Sequence, residues 1–210
     1  KDVRGPETII KEYHSERGLL DFIDYLNESK SVLHQEPITF DGERDINGIS
    51  MYGEVCMQFT DSTSEYISSY VNNIPTRDAG THESGFKTGM TRAFKEWAKK
   101  LNLLKEKDKE FEGDDLREGL TAIVRIKISN PVFEGQTKNK LGNNEAYTMM
   151  NDLCYTKFSE WIEDNKETAS IFINNAIDAA QRREKIKKIN EAEKKKIGKN
   201  EEKKKEEKQK

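Results

Sequence analysis

Two alternating runs, with a helical stripe between them, constrain this chain more than any other feature. From Ile49 to Phe59, the residues Ile49, Met51, Val55, Met57 and Phe59 fall on one face of an extended backbone, while Ser50, Glu54 and Gln58 fall on the other. From Thr121 to Ser129 the apolar positions are Ala122, Val124, Ile126 and Ile128, again every second residue. Both runs predict half-buried strands. Between them Phe86, Met90, Ala93, Phe94, Trp97, Leu101 and Leu104 recur at helical spacing, with Lys87, Arg92, Lys95, Lys99 and Lys100 on other faces, which predicts a long helix with a buried stripe. Neither a sheet nor such a helix covers its apolar face alone, so the two must share a core.

The remaining segments extend this frame. In Gly18 to Lys30, Leu19, Leu20, Phe22, Ile23 and Leu26 oppose Asp21, Asp24 and Glu28, the pattern of an amphipathic helix. Pro37 to Asp45 carries Ile38 and Phe40 ahead of a turn signal, Asp41-Gly42, and reads as a strand leading into the next. After a turn at Asp61 to Thr63, the tyrosine-rich run Glu65 to Val71 predicts another strand, expected to pair with Ile49–Phe59 as an antiparallel hairpin. Asn72 to Gly85 is dense in turn formers, with Thr81 as the expected N-cap of the long helix and His82 expected to make a local hydrogen bond there. Lys105 to Glu110 reads as a solvated charge run. Asp114, Asp115, Arg117 and Glu118 read as a charged turn with an internal Arg–carboxylate pair. A last helix after Asp164 would bury Ile171, Phe172, Ile177 and Ala180. The order of elements predicts an α+β fold with helices stacked on one sheet face.

Charged residues make up 36% of the 210 residues and hydrophobic residues 33%, with the apolar shortfall concentrated at the C-terminal end. The expected organisation is an N-terminal connection over residues 1–12, a domain over 13–185, and a Lys/Glu-rich tail over 186–210, helical and then disordered. A net charge of -3 argues against a polycation that coats nucleic acid. Cys56 and Cys154 stand apart and read as reduced core thiols in a reducing compartment. No apolar run is long enough to span a membrane. The chain begins Lys-Asp-Val-Arg, with neither Met nor a signal-peptide pattern, and is expected to be a piece of a larger protein.

The candidate site is the stretch Asn130 to Asn143. Pro131 cannot donate to a ladder and ends the preceding strand. Asn143-Asn144-Glu145 offers an acceptor and an early carboxylate to free helix amides, and Met149, Met150, Leu153, Cys154, Trp161 and Ile162 continue at helical spacing. A polar loop with Gln136, Thr137, Lys138 and Lys140 is thereby held between a strand end and a helix start, a common location for anion-binding groups.

Three motifs in order carry a resemblance: Asn72-Asn-Ile-Pro-Thr-Arg-Asp-Ala-Gly-Thr-His-Glu-Ser-Gly-Phe-Lys-Thr-Gly-Met-Thr-Arg92, Gly113-Asp-Asp-Leu-Arg-Glu-Gly-Leu-Thr-Ala-Ile-Val124, and Pro131-Val-Phe-Glu-Gly-Gln-Thr-Lys-Asn-Lys-Leu141. Together with Tyr13 to Asn27, which is similar to the segment where that family's second domain begins, they resemble the ATPase subunit of bacterial-type type IIA topoisomerases: DNA gyrase B and its topoisomerase IV counterpart. The resemblance implies the transducer domain, with a ribosomal-protein-S5-domain-2-like fold. Lys138 would have a catalytic role, contacting the ATP γ-phosphate together with Gln136, while Thr137 shapes the loop and Arg92 contributes to a cavity for DNA. No metal site is implied in this chain, since ATP and Mg are bound mainly by the nucleotide-binding domain, whose motifs are absent here. The implied partners are DNA, the A-type cleavage subunit of gyrase or topoisomerase IV, and a second copy joined through the ATPase domain. The implied location is the cytoplasm, at the nucleoid, or an organelle of bacterial origin. The piece alone is expected neither to hydrolyse ATP nor to cut DNA. It departs from the family where Gln181-Arg-Arg-Glu-Lys-Ile-Lys-Lys188 runs into a Lys/Glu tail. Two other classes compete: an S5-like RNA-binding module and a structural spacer. Gyrase and topoisomerase IV are not distinguished.

Overall fold

The computed structural model describes Ile10, residues 14–105 and residues 110–208, with side chains described as far as Lys194. Its elements are α1 (Leu19–Asn27), β1 (Ile38–Ile46), β2 (Ile49–Phe59), β3 (Tyr66–Val71), β4 (Ile74–Pro75), α2 (Thr81–Lys100), α3 (Gly113–Leu116), β5 (Leu120–Ile128), β6 (Phe133–Glu134), β7 (Lys140–Leu141), α4 (Asn144–Asp164) and α5 (Lys166–Lys208). Apart from Ile10, the N-terminal connection lies outside the described residues, as does most of the 105–110 charge run. Glu110, at the end of that run, pairs with Lys99 at 2.7 Å and Lys95 at 3.6 Å.

The expected α+β architecture is present, but its strand order differs from the hairpin reading. The sheet runs β1-β2-β5-β3-β4, so β5 separates β2 from β3. It pairs antiparallel with β2, Val124 opposite Val55, and parallel with β3, Val124 opposite Ser69. The reason is burial: β5 is apolar enough to be covered on both faces and takes the centre, while β3 alternates polar residues and sits further out. A parallel β3–β5 pair needs a long crossover, which α2 supplies.

The β1–β2 turn also falls elsewhere than expected. Asp41-Gly42 lies inside β1, opposite Glu54 and Gly53, and the chain reverses at Asn47-Gly48 with φ of 55° and 76°. That sign at both central positions matches the twist of a two-residue hairpin. Asn72-Asn73, with φ of 47° and 66°, does the same between β3 and β4.

One sheet face carries α2, α4 and part of α5, and the other is covered in part by α1. This second cover corrects the expectation of half-buried strands, because Cys56, Gln58, Thr121 and Ile123 are buried on the outer face. Ile23 of α1 packs with Cys56 and Ile123. Beside them the Thr121 hydroxyl donates to Asn27 Oδ1 at 2.7 Å, and Asn27 Nδ2 donates to Gln58 Oε1 at 3.0 Å. Burial pushes the Cys56 thiol up to about 12 and the Cys154 thiol well up, so both remain protonated.

On the inner face α2 and α4 approach until backbone meets backbone. A Cβ on Gly85 would lie 2.5 Å from Tyr147 O, and one on Gly89 2.9 Å from Cys154 Cβ. Phe158 of α4 then reaches Phe40, Phe86 and Phe94, at centroid distances of 4.9, 6.2 and 5.9 Å. Phe172 of α5 stacks on Phe59 at 4.2 Å. Ile171, expected to point inward, is 47% exposed, and Ile173 fills the core instead. Beyond Ala180 no described side chain is buried. The backbone nevertheless stays helical past Gly198 to Lys208, where helix followed by disorder is expected from composition. Closely spaced Glu and Lys residues in the sequence favour a helix.

The Phe111–Gly119 turn region contains the one-turn helix α3, which ties α5 to the domain. Arg183 Nε and Nη2 hold the two oxygens of Asp115 at 3.0 and 2.8 Å, Arg183 Nη1 reaches Glu112 at 2.9 Å, and Arg182 reaches Glu118 at 2.6 Å. Burial pushes the Asp115 carboxyl up, but Arg183 and the Glu112 amide outweigh it and keep it below the usual range. The expected internal pair is present as Arg117 with Asp114, and Arg117 also bonds Glu65 at 2.6 Å.

The Gly85–Gly89 seam makes a direct prediction. Gly89→Ala improves helix propensity by up to about 1 kcal/mol, yet its methyl would press on the α4 backbone, where overpacking costs about 1–3 kcal/mol or more. Urea unfolding should show a net destabilisation of about 1 kcal/mol or more.

Candidate functional site

The Asn130–Asn143 excursion is a small hairpin. After Pro131, β6 and β7 pair Phe133 with Leu141 and Glu134 with Lys140. Below them the Gly142 amide donates to Val132 O at 2.8 Å. Asn143 then extends the ladder with its side chain, Oδ1 accepting from the Val132 amide at 2.6 Å and Nδ2 donating to Asn130 O at 3.2 Å. This corrects the capping expectation: Asn143 is the N-cap of α4 by position, but its side chain makes no cap hydrogen bond and closes the loop stem instead.

The loop is fixed from a second direction as well. Asp78, between β4 and α2, donates its amide to Asn139 O at 3.1 Å, and Gly80 forms a parallel bridge with the fully buried Leu141. A Cβ on Gly80 would lie 2.7 Å from Leu141 N, so the residue preceding α2 has no room for a capping side chain. Thr81, the expected N-cap, is accordingly the first helical residue, and its hydroxyl is buried without a partner among the described residues.

Gln136, Thr137 and Lys138 are exposed at the tip. Gly135 and Lys138 adopt φ of 80° and 55°, and the Lys138 amide points to Gly135 O at 3.4 Å. A left-handed backbone costs a non-glycine residue about 1–2 kcal/mol, so the turn holds Lys138 in a conformation it would not choose alone. The two loop lysines differ: Lys140 pairs with Glu134 at 3.1 Å, whereas among the described residues none pairs with the Lys138 ammonium or the Gln136 amide. The tip therefore presents a cation and an amide donor that are free to meet an anion.

Arg92 is not brought to this loop. It lies eleven residues into α2, about 16 Å from the helix start at 1.5 Å per residue, with its guanidinium 3.8 Å from the Tyr155 ring centroid. Tyr155 donates to Glu96 at 2.5 Å, and Glu96 pairs with Lys100 at 2.7 Å. The neighbouring Lys87 is paired too, with Glu83 at 3.0 Å and Glu65 at 3.3 Å. These partners escaped the sequence reading, as did the roles of Asp78, Gly80 and Asn143. The recurring Gly and Asn residues around the loop were the available signal.

His82 is fully buried, with Nε2 3.4 Å from the Thr76 hydroxyl and Nδ1 unpaired among the described residues. Burial lowers its pKa to about 4. It is therefore a neutral core residue, bonded near the helix start as expected.

The class follows from comparison with known proteins: the chain belongs to the DNA gyrase B family, whose model matches residues 18–192. Among its relatives, the DNA gyrase B protein of Halalkalibacterium halodurans is 43% identical over 86% of this chain and 28% of that protein. The B protein of DNA topoisomerase 4 from Bacillus subtilis is 46% identical over 85% of this chain and 27% of that protein. The chain thus spans little more than a quarter of these relatives. The 43K ATPase domain of Thermus thermophilus gyrase B, solved with an aminocoumarin, superposes with a TM-score of 0.74 at 38% identity, covering 83% of this chain and 46% of that one. The topoisomerase IV ATP-binding domain of Francisella tularensis follows at 0.66 and 28%, covering 81% and 44%. Among the described residues, no helix is long and apolar enough to cross a membrane.

The buried imidazole gives a pH prediction. An unfolded His titrates near 6.5 and folded His82 near 4, so between those values the unfolded chain binds more protons. Stability is therefore complete above about pH 6.5 and falls as the pH drops. His34, held down mainly by burial, acts in the same direction. Denaturant titrations should show a loss of about 2 kcal/mol from pH 7.5 to pH 5, much of it removed in His82→Gln if that variant folds.

Proposed function

We propose that this chain is the transducer domain of the ATPase subunit of a type IIA DNA topoisomerase, and that the Gln136-Thr137-Lys138 tip reads the terminal phosphate of ATP held by a neighbouring nucleotide-binding domain. One observation carries the reading: the tip holds an ammonium and an amide that are unpaired among the described residues, on a turn anchored at its stem and at Asp78. Lys138 is then the catalytic cation, Gln136 a second phosphate donor, and Thr137 a shaping residue. Family membership and the likeness to gyrase B and its topoisomerase IV counterpart support it.

Hydrolysis redistributes negative charge over the transferring phosphoryl group, and a fixed cation aimed at that charge lowers the barrier. The held backbone at Lys138 limits the region its ammonium can reach, and the bound phosphate would order the side chain. ATP supplies the γ-phosphate, and Mg would be held mainly by the nucleotide-binding domain. Because the contact lasts only while that phosphate remains, the loop would register nucleotide state and move the domain as a rigid body. That motion would couple ATP to strand passage, as supercoiling or decatenation, in a dimeric parent joined by an A-type cleavage subunit in the bacterial cytoplasm. Arg92 is a candidate DNA contact on the α2 surface.

The test is DNA-stimulated ATP hydrolysis by the parent subunit reconstituted with its cleavage partner. Lys138→Ala should lower turnover by about a hundredfold, with nucleotide affinity changed only a few-fold. Unchanged turnover would leave the family fold without this loop chemistry and favour a structural spacer.

A further inference from the structure

The stem of the loop depends on a residue that touches no reacting group. Asn143 stands where the hairpin ladder has run out of strand: β7 ends at Leu141, Gly142 makes the last backbone bond, and the next rung is a side chain. Its carboxamide works as a substitute peptide unit, accepting from Val132 N–H and donating to Asn130 O, one bond for each end. The residue is 6% exposed, so water cannot readily replace either bond. Its backbone carbonyl also accepts the Ala146 amide at 3.2 Å, which makes it part of the first turn of α4. One residue therefore joins the loop stem to a 21-residue helix that is itself fixed against α2.

We infer that Asn143 is the positioning residue for Lys138, an inference that rests on the proposed function of the loop. The stem bonds set the angle at which the hairpin leaves the domain. Lys138 lies at the far end of that hairpin, so a small rotation at the stem is carried to the ammonium. The Asp78 bond to Asn139 and the Gly80 bridge to Leu141 hold the outgoing side of the hairpin, so without Asn143 it is the incoming side, Asn130 to Val132, that loosens, with only the Gly142–Val132 bond left at the stem. Asp and Ala separate the two functions of the amide: Asp keeps an acceptor for the Val132 amide but faces the Asn130 carbonyl with an oxygen, while Ala removes both bonds.

Steady-state ATP hydrolysis by the parent subunit with its cleavage partner and DNA provides the test, using Asn143→Ala, Asn143→Asp, Lys138→Ala and the Asn143→Ala/Lys138→Ala double variant. Asn143→Ala should lower kcat about tenfold with KM for ATP within twofold, because misplacing a catalytic group by a fraction of an ångström costs rate rather than ground-state binding. Asn143→Asp should fall between Asn143→Ala and wild type. In the Lys138→Ala background Asn143→Ala should cause no further loss, since a residue acting only through Lys138 has nothing left to position. A full tenfold loss added to Lys138→Ala, or an unchanged kcat in Asn143→Ala, overturns the inference while leaving the role of Lys138 intact. An unchanged kcat in Lys138→Ala overturns the functional reading itself, and the inference with it. Should Asn143→Ala fail to melt cooperatively, the same comparison is made with Asn143→Asp, whose loss must also vanish in the Lys138→Ala background.

Discussion

The α2–α4 crossing at Gly85 and Gly89 is the constraint on which the rest of the domain depends. With no side chains between the two backbones, α4 can neither slide nor tilt without driving Tyr147 O or Cys154 Cβ into α2. The contact fixes where α4 lies over the sheet, and hence where Met150 and Leu153 sit against Gly53 and Gly42, two strand positions that also lack side chains. Gly42 looks like a turn residue in the sequence; in the fold it is a space kept clear for a helix. Because α4 begins at Asn144, the same crossing fixes the stem of the candidate loop.

The central strand extends that constraint across the domain. β5 spans eight steps of about 3.3 Å, or roughly 26 Å, and is buried along almost its whole length. At its C-terminal end is the Lys138 hairpin. At its N-terminal end is α3, where Asp115 and Glu112 hold Arg183 and Glu118 holds Arg182 as α5 leaves the core. A close-packed strand does not stretch, so a push on the hairpin is delivered to the whole sheet rather than absorbed locally. The arrangement suits a body that moves rigidly, with the long α5 helix as its outgoing arm, as the proposed coupling requires.

Legibility followed the number of independent constraints on each residue. The alternation over 49–59 gave β2 its observed bounds because a strand's period needs only neighbours in sequence. Strand order was not visible, since placing β5 between β2 and β3 depends on which strand can be covered on both faces. The second cover over Cys56 and Ile123 was not legible either, because only the position of α1 reveals it. Ile171 and Ile173 are chemically alike and two residues apart, so composition could not choose between them. In the candidate site the loop and its polar residues were legible, but the difference between Lys138 and Lys140 was not. It arises from the Glu134–Lys140 register of a hairpin too short to leave a periodic signal.

The α2 surface bears on the proposed DNA contact through its charge pairing. Lys87, Lys95, Lys99 and Lys100 each have a carboxylate within 3.6 Å, from α2 itself, Glu65 or Glu110. The exposed pairs, at Lys99 and Lys100, are worth about 0–1 kcal/mol, so a phosphate could exchange with a carboxylate there at little cost and little gain. Arg92 differs: its face lies on Tyr155, a contact that leaves its outward N–H groups available, and the Glu96 bond of Tyr155 holds the ring in place. Among the described residues, a surface with Arg92 stacked on Tyr155 and several carboxylate-paired lysines would grip a polyanion weakly.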